Sequence, residues 1–323
     1  MDRLYLVVPC YNEEEVLPET VRRLTDKLNR MAGKGLVSAD SRILLVDDGS
    51  RDRTWELICG FHQENPAVSG LKLSRNRGHQ NALVAGLMTA RELCDITISL
   101  DADLQDDIEV LDQFVEAYHK GAQVVYGVRS ARDTDTAFKR STAMGFYGLM
   151  KKMGVDIVSN HADYRLMSKK ALDCFSGYRE VNLFLRGIVP LIGFPTAVVT
   201  YERSERFAGE SKYPLKKMLS FAWDGITSFS TKPLSLITGV GIAVGFLSGL
   251  GLLAALICLL CGVSVAGWVW VLVSVWLGLG IQLVALGLVG AYVGKTYAEV
   301  KDRPRYHIEM LLDEGKRPDG EKG

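Results

Sequence analysis

Across the 62 residues between Lys232 and Lys295 the chain carries no Asp, Glu, Lys, Arg or His. That absence excludes an ordinary water-exposed segment, because so long an apolar stretch is stable only in lipid or deep in a core. Net charge is also missing: 38 basic residues balance 38 acidic ones in a chain of 323. With no basic excess, a nucleic-acid partner is disfavoured. Cysteine is sparse and irregularly spaced, at positions 10, 59, 94, 174, 258 and 261, so no disulfide framework is expected and a reducing compartment fits. Cys258 and Cys261 form a CxxC pair, but inside the apolar stretch, where redox or zinc chemistry lacks polar surroundings. No export signal is expected: the run Leu4–Val8 is short and ends at Pro9. A glycine fingerprint is missing after the first strand, which excludes a dinucleotide-binding dehydrogenase. The Gly239–Gly245 run that resembles one follows no strand.

What is present begins with that apolar stretch. One bilayer crossing takes about 20 residues, so it has room for two, placed at Ser235–Cys261 and Trp268–Tyr292 as a helical hairpin. Lys212, Lys216, Lys217 and Lys232 precede the hairpin, and Lys295, Lys301, Arg303 and Arg305 follow it. The positive-inside rule then places both ends in the cytoplasm. Gly241, Gly245 and Gly249 repeat every fourth residue, which allows close helix packing within the hairpin or between subunits. Before the first span, Leu215, Met218, Leu219, Ala222, Ile226 and Phe229 share one helical face, which predicts an interface helix or a buried core helix.

Up to residue 212 the pattern changes. Short apolar runs at Leu4–Val8, Arg42–Val46, Gly70–Leu73, Ile96–Leu100, Gln123–Tyr126 and Ala197–Tyr201 alternate with helical patterns at Glu14–Arg30, Thr54–Asn65, Gln80–Leu93 and Ile108–Lys120. This alternation predicts an α/β domain with a mostly parallel sheet, in which ligands sit beyond the carboxyl ends of strands. The predicted organisation is a catalytic domain over 1–212, an interface helix over 213–231, two spans over 232–294 and a cytoplasmic tail over 295–323.

Polar clusters stand at those strand ends. Pro9-Cys10-Tyr11-Asn12-Glu13-Glu14 closes the first, and its acids alone are explained by a helix N-terminus. Asp47-Asp48-Gly49-Ser50 closes the second; a plain turn accounts for Gly49 and Ser50 but not for two adjacent carboxylates, which suit ribose hydroxyls or a base N–H. Asp101-Ala102-Asp103-Leu104-Gln105-Asp106-Asp107 closes the fourth. So much negative charge repels itself, and a divalent cation relieves it. Oxygen-only ligands favour Mg²⁺ or Mn²⁺ shared with substrate phosphates. Asp106 and Asp107 read as helix caps.

In order along the chain, VVPCYNEEEVLP, VDDGSRDRT, LSRNRGHQNALVAGL, SLDADLQDD, VVYGVR, ADYRLM, RFAGESKYPLKKM and YVGKTYAEVKDRPRY resemble family 2 glycosyltransferases of the GT-A fold. The closer resemblance is to polyprenyl-phosphate glycosyltransferases of the GtrB type and to dolichyl-phosphate mannose synthases, over essentially the whole chain. The resemblance implies that Pro9, Tyr11, Glu13, Asp47, Asp48 and Arg75 line the nucleotide-sugar pocket. Asp101, Asp103 and Gln105 then match the metal and diphosphate site, with Arg129 reaching the phosphates. Asp163 matches an acceptor-side acid, with Arg165, Arg206 and Lys212 on the acceptor or donor phosphate; His79 receives no catalytic role. It further implies inversion at the anomeric carbon, a homo-oligomer, and a lipid bilayer as partner.

The reaction implied moves a hexose, glucose first, from a UDP-sugar onto polyprenyl phosphate. A phosphate acceptor has a second pKa of about 6 and needs no strong base, so Asp163 is expected to orient rather than to abstract a proton. Ser130–Ser141 is polar and aperiodic, a loop that closes over donor or a solvated connection. A processive polysaccharide synthase would carry a QxxRW motif and more spans. A transferase acting on a hydroxyl acceptor would not need the hairpin, and a non-catalytic scaffold would not need the acids.

Overall fold

The computed structural model describes residues 1–130, 161–180, 185–202 and 267–313, with Gly239, Ala243, Phe246 and Leu260. Its elements are β1 Leu4–Cys10, α1 Leu17–Gly33, β2 Arg42–Asp47, α2 Thr54–Glu64, β3 Val68–Leu73, α3 His79–Arg91 and β4 Ile96–Ser99. A single 3-10 turn, Ile108–Val110, leads into α4 Leu111–His119, followed by β5 Val124–Arg129, β6 His161–Ser168, α5 Lys169–Phe175, α6 Leu185–Leu191 and β7 Thr196–Tyr201. Then come α7 Gly267–Val300 and β8 Ile308–Leu312. All six predicted strands form, with shifted ends.

The strands make one sheet in the order β7-β5-β6-β4-β1-β2-β3-β8. β1, β2, β3 and β4 run parallel, as do β5 and β7, while β6 is antiparallel to β4 and β5, and β8 is antiparallel to β3. All seven residues of β1 are buried, as a strand covered on both faces requires. Helix α3 lies directly on it: a Cβ at Gly86 would stand 2.5 Å from Val7 and 2.7 Å from Val46. Chain order reverses between β1 and β4, so the loops that follow them diverge and leave a crevice at their carboxyl ends.

Two strands were not legible as strands. β6 carries Asp163 and Arg165, which interrupt any apolar run. β8 lies in what the sequence presents as a tail, and it pairs with β3 from Gly70↔Leu312 to Leu73↔Ile308. Its end is fastened by Asp313, whose Oδ2 accepts from Tyr5 Oη at 3.0 Å and from Ser69 Oγ at 3.1 Å. The α/β unit comprises Met1–Met144, Ile157–Tyr213 and Asp302–Gly323, and a second unit comprises Gly145–Asp156 and Pro214–Lys301. The segment after α7 therefore belongs to the α/β unit rather than to a separate tail.

In the second unit, α7 contains the whole predicted second span, Trp268–Tyr292, in continuous helix. The first predicted span, apart from four isolated positions, and the interface helix lie outside the described residues. Among residues whose side chains are described, no helix is long and apolar enough to cross a membrane.

Candidate active site

The loops after β1 and β2 are stitched together. Ser50 Oγ accepts from Asn12 N at 3.0 Å, Thr54 Oγ1 from Glu13 N at 2.9 Å, and Asn12 Oδ1 from Arg51 N at 2.9 Å. Asn12 has φ 54°, a left-handed turn that its short polar side chain tolerates. Pro9 is buried in β1 opposite Val46, and Tyr11 is 41% exposed at the rim. Asp47 is fully buried; its Oδ1 accepts from Ser50 N at 3.1 Å, and its Oδ2 has no hydrogen-bond partner among the described residues. Burial raises its pKa.

Asp48 also holds a neighbouring loop in place. Its two oxygens accept from Arg77 N at 2.7 Å and Gly78 N at 2.9 Å. They therefore hold the loop after β3, the loop of the exposed Arg75. Gly49 is required beside it: φ is 65°, and a Cβ would meet the Arg75 and Asn76 backbone at 2.6 Å.

The acidic run after β4 faces β6. Ser99 pairs with Arg165 in the antiparallel register, and continuing that register places Asp101 across from Asp163. His79, the first residue of α3, stands between them, its Nε2 3.7 Å from Asp101 Oδ1 and 3.5 Å from Asp163 Oδ2. Asp163 Oδ1 accepts from Arg165 Nη2 at 2.6 Å, and Arg186 Nη2 lies 3.9 Å from Oδ2. Burial opposes ionisation of Asp163, but His79, Arg165 and Arg186 overcome it and hold its pKa far below the usual carboxylate range. Asp101 behaves oppositely: burial first, with Asp106, Asp163 and Asp103 adding to it against His79, pushes its pKa up to about 6.

Two neighbouring residues correct or extend the sequence reading. Asp107 caps as predicted, accepting from Glu109 N at 2.8 Å. Asp106 does not cap. It is buried, and its Oδ1 accepts from Tyr201 Oη at 2.5 Å and faces Arg129 Nη2 at 3.5 Å. The capping expectation failed because the turn at Leu104, φ 55°, swings Asp106 inward to a cation that sequence distance concealed. His79, Arg186 and Tyr201 were likewise missed; the packing of α3, α6 and β7 around the acidic run brings them to the acids. Arg206 and Lys212 lie outside the described residues.

The donor set at the acidic run suits a hard divalent cation. Asp103 and Gln105 flank the left-handed turn at Leu104, and Asp103 Oδ1 accepts from Gln105 N at 3.2 Å. Among the described residues no group of three or more His, Cys, Asp or Glu is arranged to hold a metal ion by itself. Two carboxylates without a closed protein cage match an ion that completes its shell with waters and substrate phosphates. The raised pKa of Asp101 marks negative charge that a cation would relieve.

A mostly parallel α/β sheet with an acidic crevice at its strand ends defines an α/β protein suited to a phosphate-bearing ligand and a divalent cation, and comparison supplies the family. Residues 5–175 match the family described as Glycosyl transferase family 2, and the chain belongs to that family. It is a glycosyltransferase. A protein of Bacillus subtilis (strain 168) named uncharacterized glycosyltransferase YkoT is 52% identical over 96% of this chain and 92% of its own. The prophage bactoprenol glucosyl transferase homolog of Escherichia coli (strain K12) is 38% identical over 96% of this chain and 99% of its own. The SfII prophage-derived bactoprenol glucosyl transferase of Shigella flexneri is 39% identical over 95% and 97%. Among solved structures, mannosyltransferase PcManGT from Pyrobaculum calidifontis, in complex with GDP-Man and Mn²⁺, aligns with TM-score 0.45 and 14% identity over 94% of this chain and 88% of its own.

Proposed function

We propose that this glycosyltransferase moves glucose from a UDP-sugar onto a polyprenyl phosphate at the cytoplasmic face of a membrane, with inversion. The relatives named for bactoprenol glucosyl transfer support the acceptor and sugar, since they align over nearly their full lengths. The observation that carries the reading is the convergence of Asp101 and Asp163 on His79, which sets a metal-type acid beside an acid saturated by cations. Asp101, Asp103 and Gln105 would hold Mg²⁺ or Mn²⁺, which when bound neutralises charge developing on the departing diphosphate. Arg129 adds a second cation on that side. Asp47, with one buried carboxylate oxygen lacking a partner, is the acid offered to the nucleoside.

On the acceptor side, Asp163 is already ionised and held by Arg165, so it is a poor proton acceptor. The acceptor phosphate is largely dianionic near neutrality, and its attack needs placement more than deprotonation. The uncharged stretch to Gly294 would set a lipid substrate at headgroup depth, with Arg206 and Lys212 meeting its phosphate. The test is to incubate membranes bearing the protein with undecaprenyl phosphate and a panel of nucleotide-sugars, then weigh the lipid product. A hexose added from UDP-glucose, abolished by EDTA and by Asp101→Asn with Asp103→Asn, is the expected result. Undiminished product in the double variant would overturn the metal site.

A further inference from the structure

Arg129 and Tyr201 end adjacent parallel strands and are register partners. Arg129 Nε donates to Tyr201 Oη at 3.2 Å, and Tyr201 Oη in turn donates to Asp106 Oδ1 at 2.5 Å. Arg129 Nη2 faces that same oxygen at 3.5 Å. The acid side chain is 3% exposed and the arginine 30%, so the open side of the cluster is the guanidinium. Among the described residues, Arg129 Nη1 has no hydrogen bond. The Tyr201 ring packs edge-on against Tyr164 at 5.2 Å, and Tyr164 Oη donates to Asp107 O at 2.9 Å. Two tyrosines from β6 and β7 thus fasten the far end of the acidic run to the sheet.

We infer that Tyr201 and Asp106 are positioning residues that clamp the inner edge of the Arg129 guanidinium, leaving its outer edge aimed at the donor diphosphate. The inference rests on the proposed role of Arg129 toward that diphosphate. A phenol suits the clamp because one hydroxyl both accepts from Nε and donates to the acid. A guanidinium fixed on one side loses less side-chain freedom when phosphate arrives on the other. Tyr201→Phe removes both bonds and keeps the ring on Tyr164.

The test is a double-mutant cycle on the full chain in detergent, titrating UDP with Mn²⁺ by calorimetry and recording melting temperature in parallel. Tyr201→Phe is expected to weaken UDP binding about tenfold, the scale of one hydrogen bond to a charged group. Arg129→Ala should weaken it at least as much, and adding Tyr201→Phe to Arg129→Ala should change affinity by less than about twofold. Multiplying effects in the double variant, or unchanged affinity in Tyr201→Phe, would overturn the clamp while leaving the role of Arg129 intact. Unchanged affinity in Arg129→Ala would overturn that role and the clamp with it. If Arg129→Ala fails to fold, Arg129→Gln takes its place in the cycle.

Discussion

At the scale of single residues, the site sets two acids of opposite electrostatic character on either side of His79. Asp101 is destabilised as an anion by burial and by its acidic neighbours. Asp163 is stabilised as an anion by His79, Arg165 and Arg186 against the same burial. Because its folded pKa lies below the unfolded value of about 3.9, the ionised form favours folding above that value and loses its effect only in strong acid. No Asp163 titration should therefore occur between pH 5 and 9. Asp163→Asn is expected to lower turnover by about a hundredfold, through misplacement of its cationic partners, and the loss should persist undiminished on the alkaline side of neutrality. A pH–rate profile of the variant checks this; recovery at high pH would mean that Asp163 acts as a base. The Arg129 cluster makes the same point differently. Asp106 was legible as an acid and even as part of the right loop, but its partners stand 23 and 95 residues away along the chain.

At the scale of elements, loops after β1, β2 and β3 behave as one bonded platform. Asp48 ties the third loop to the second, and Gly49 allows the approach. Gly49→Ala would place a methyl group against the Arg75 and Asn76 backbone at a φ of 65°. We expect it to destabilise the protein by about 1–3 kcal/mol and to weaken UDP binding, because the Asp48 hydrogen bonds cannot both survive the displacement. Thermal melting and UDP titration of the variant measure the two effects separately. Parallel strands announced themselves as apolar runs between helical patterns. β6 did not, because Asp163 and Arg165 point from a strand whose buried charges pair with each other. Buried ion pairs erase the hydrophobic signal that a strand otherwise carries.

At the scale of the whole chain, the α/β unit closes only when residues beyond α7 return to it. β8 covers the edge of β3, and Asp313 joins Tyr5, Ser69 and Arg42 beneath it. Asp313→Ala should cost about 2–3 kcal/mol, since it removes two hydrogen bonds and leaves the Arg42 charge without that partner. A lowered melting temperature of the full chain, with turnover per folded molecule unchanged, is the outcome to look for. The order of the motifs, the acidic strand ends and the uncharged stretch were determined by sequence alone, because local patterning is enough to write strands, turns and apolar lengths. Which acid faces a cation, which acid holds a loop, and which distant strand completes the sheet were decided by tertiary structure. Those choices depend on strand register and packing between segments far apart in the chain, and no local pattern encodes either.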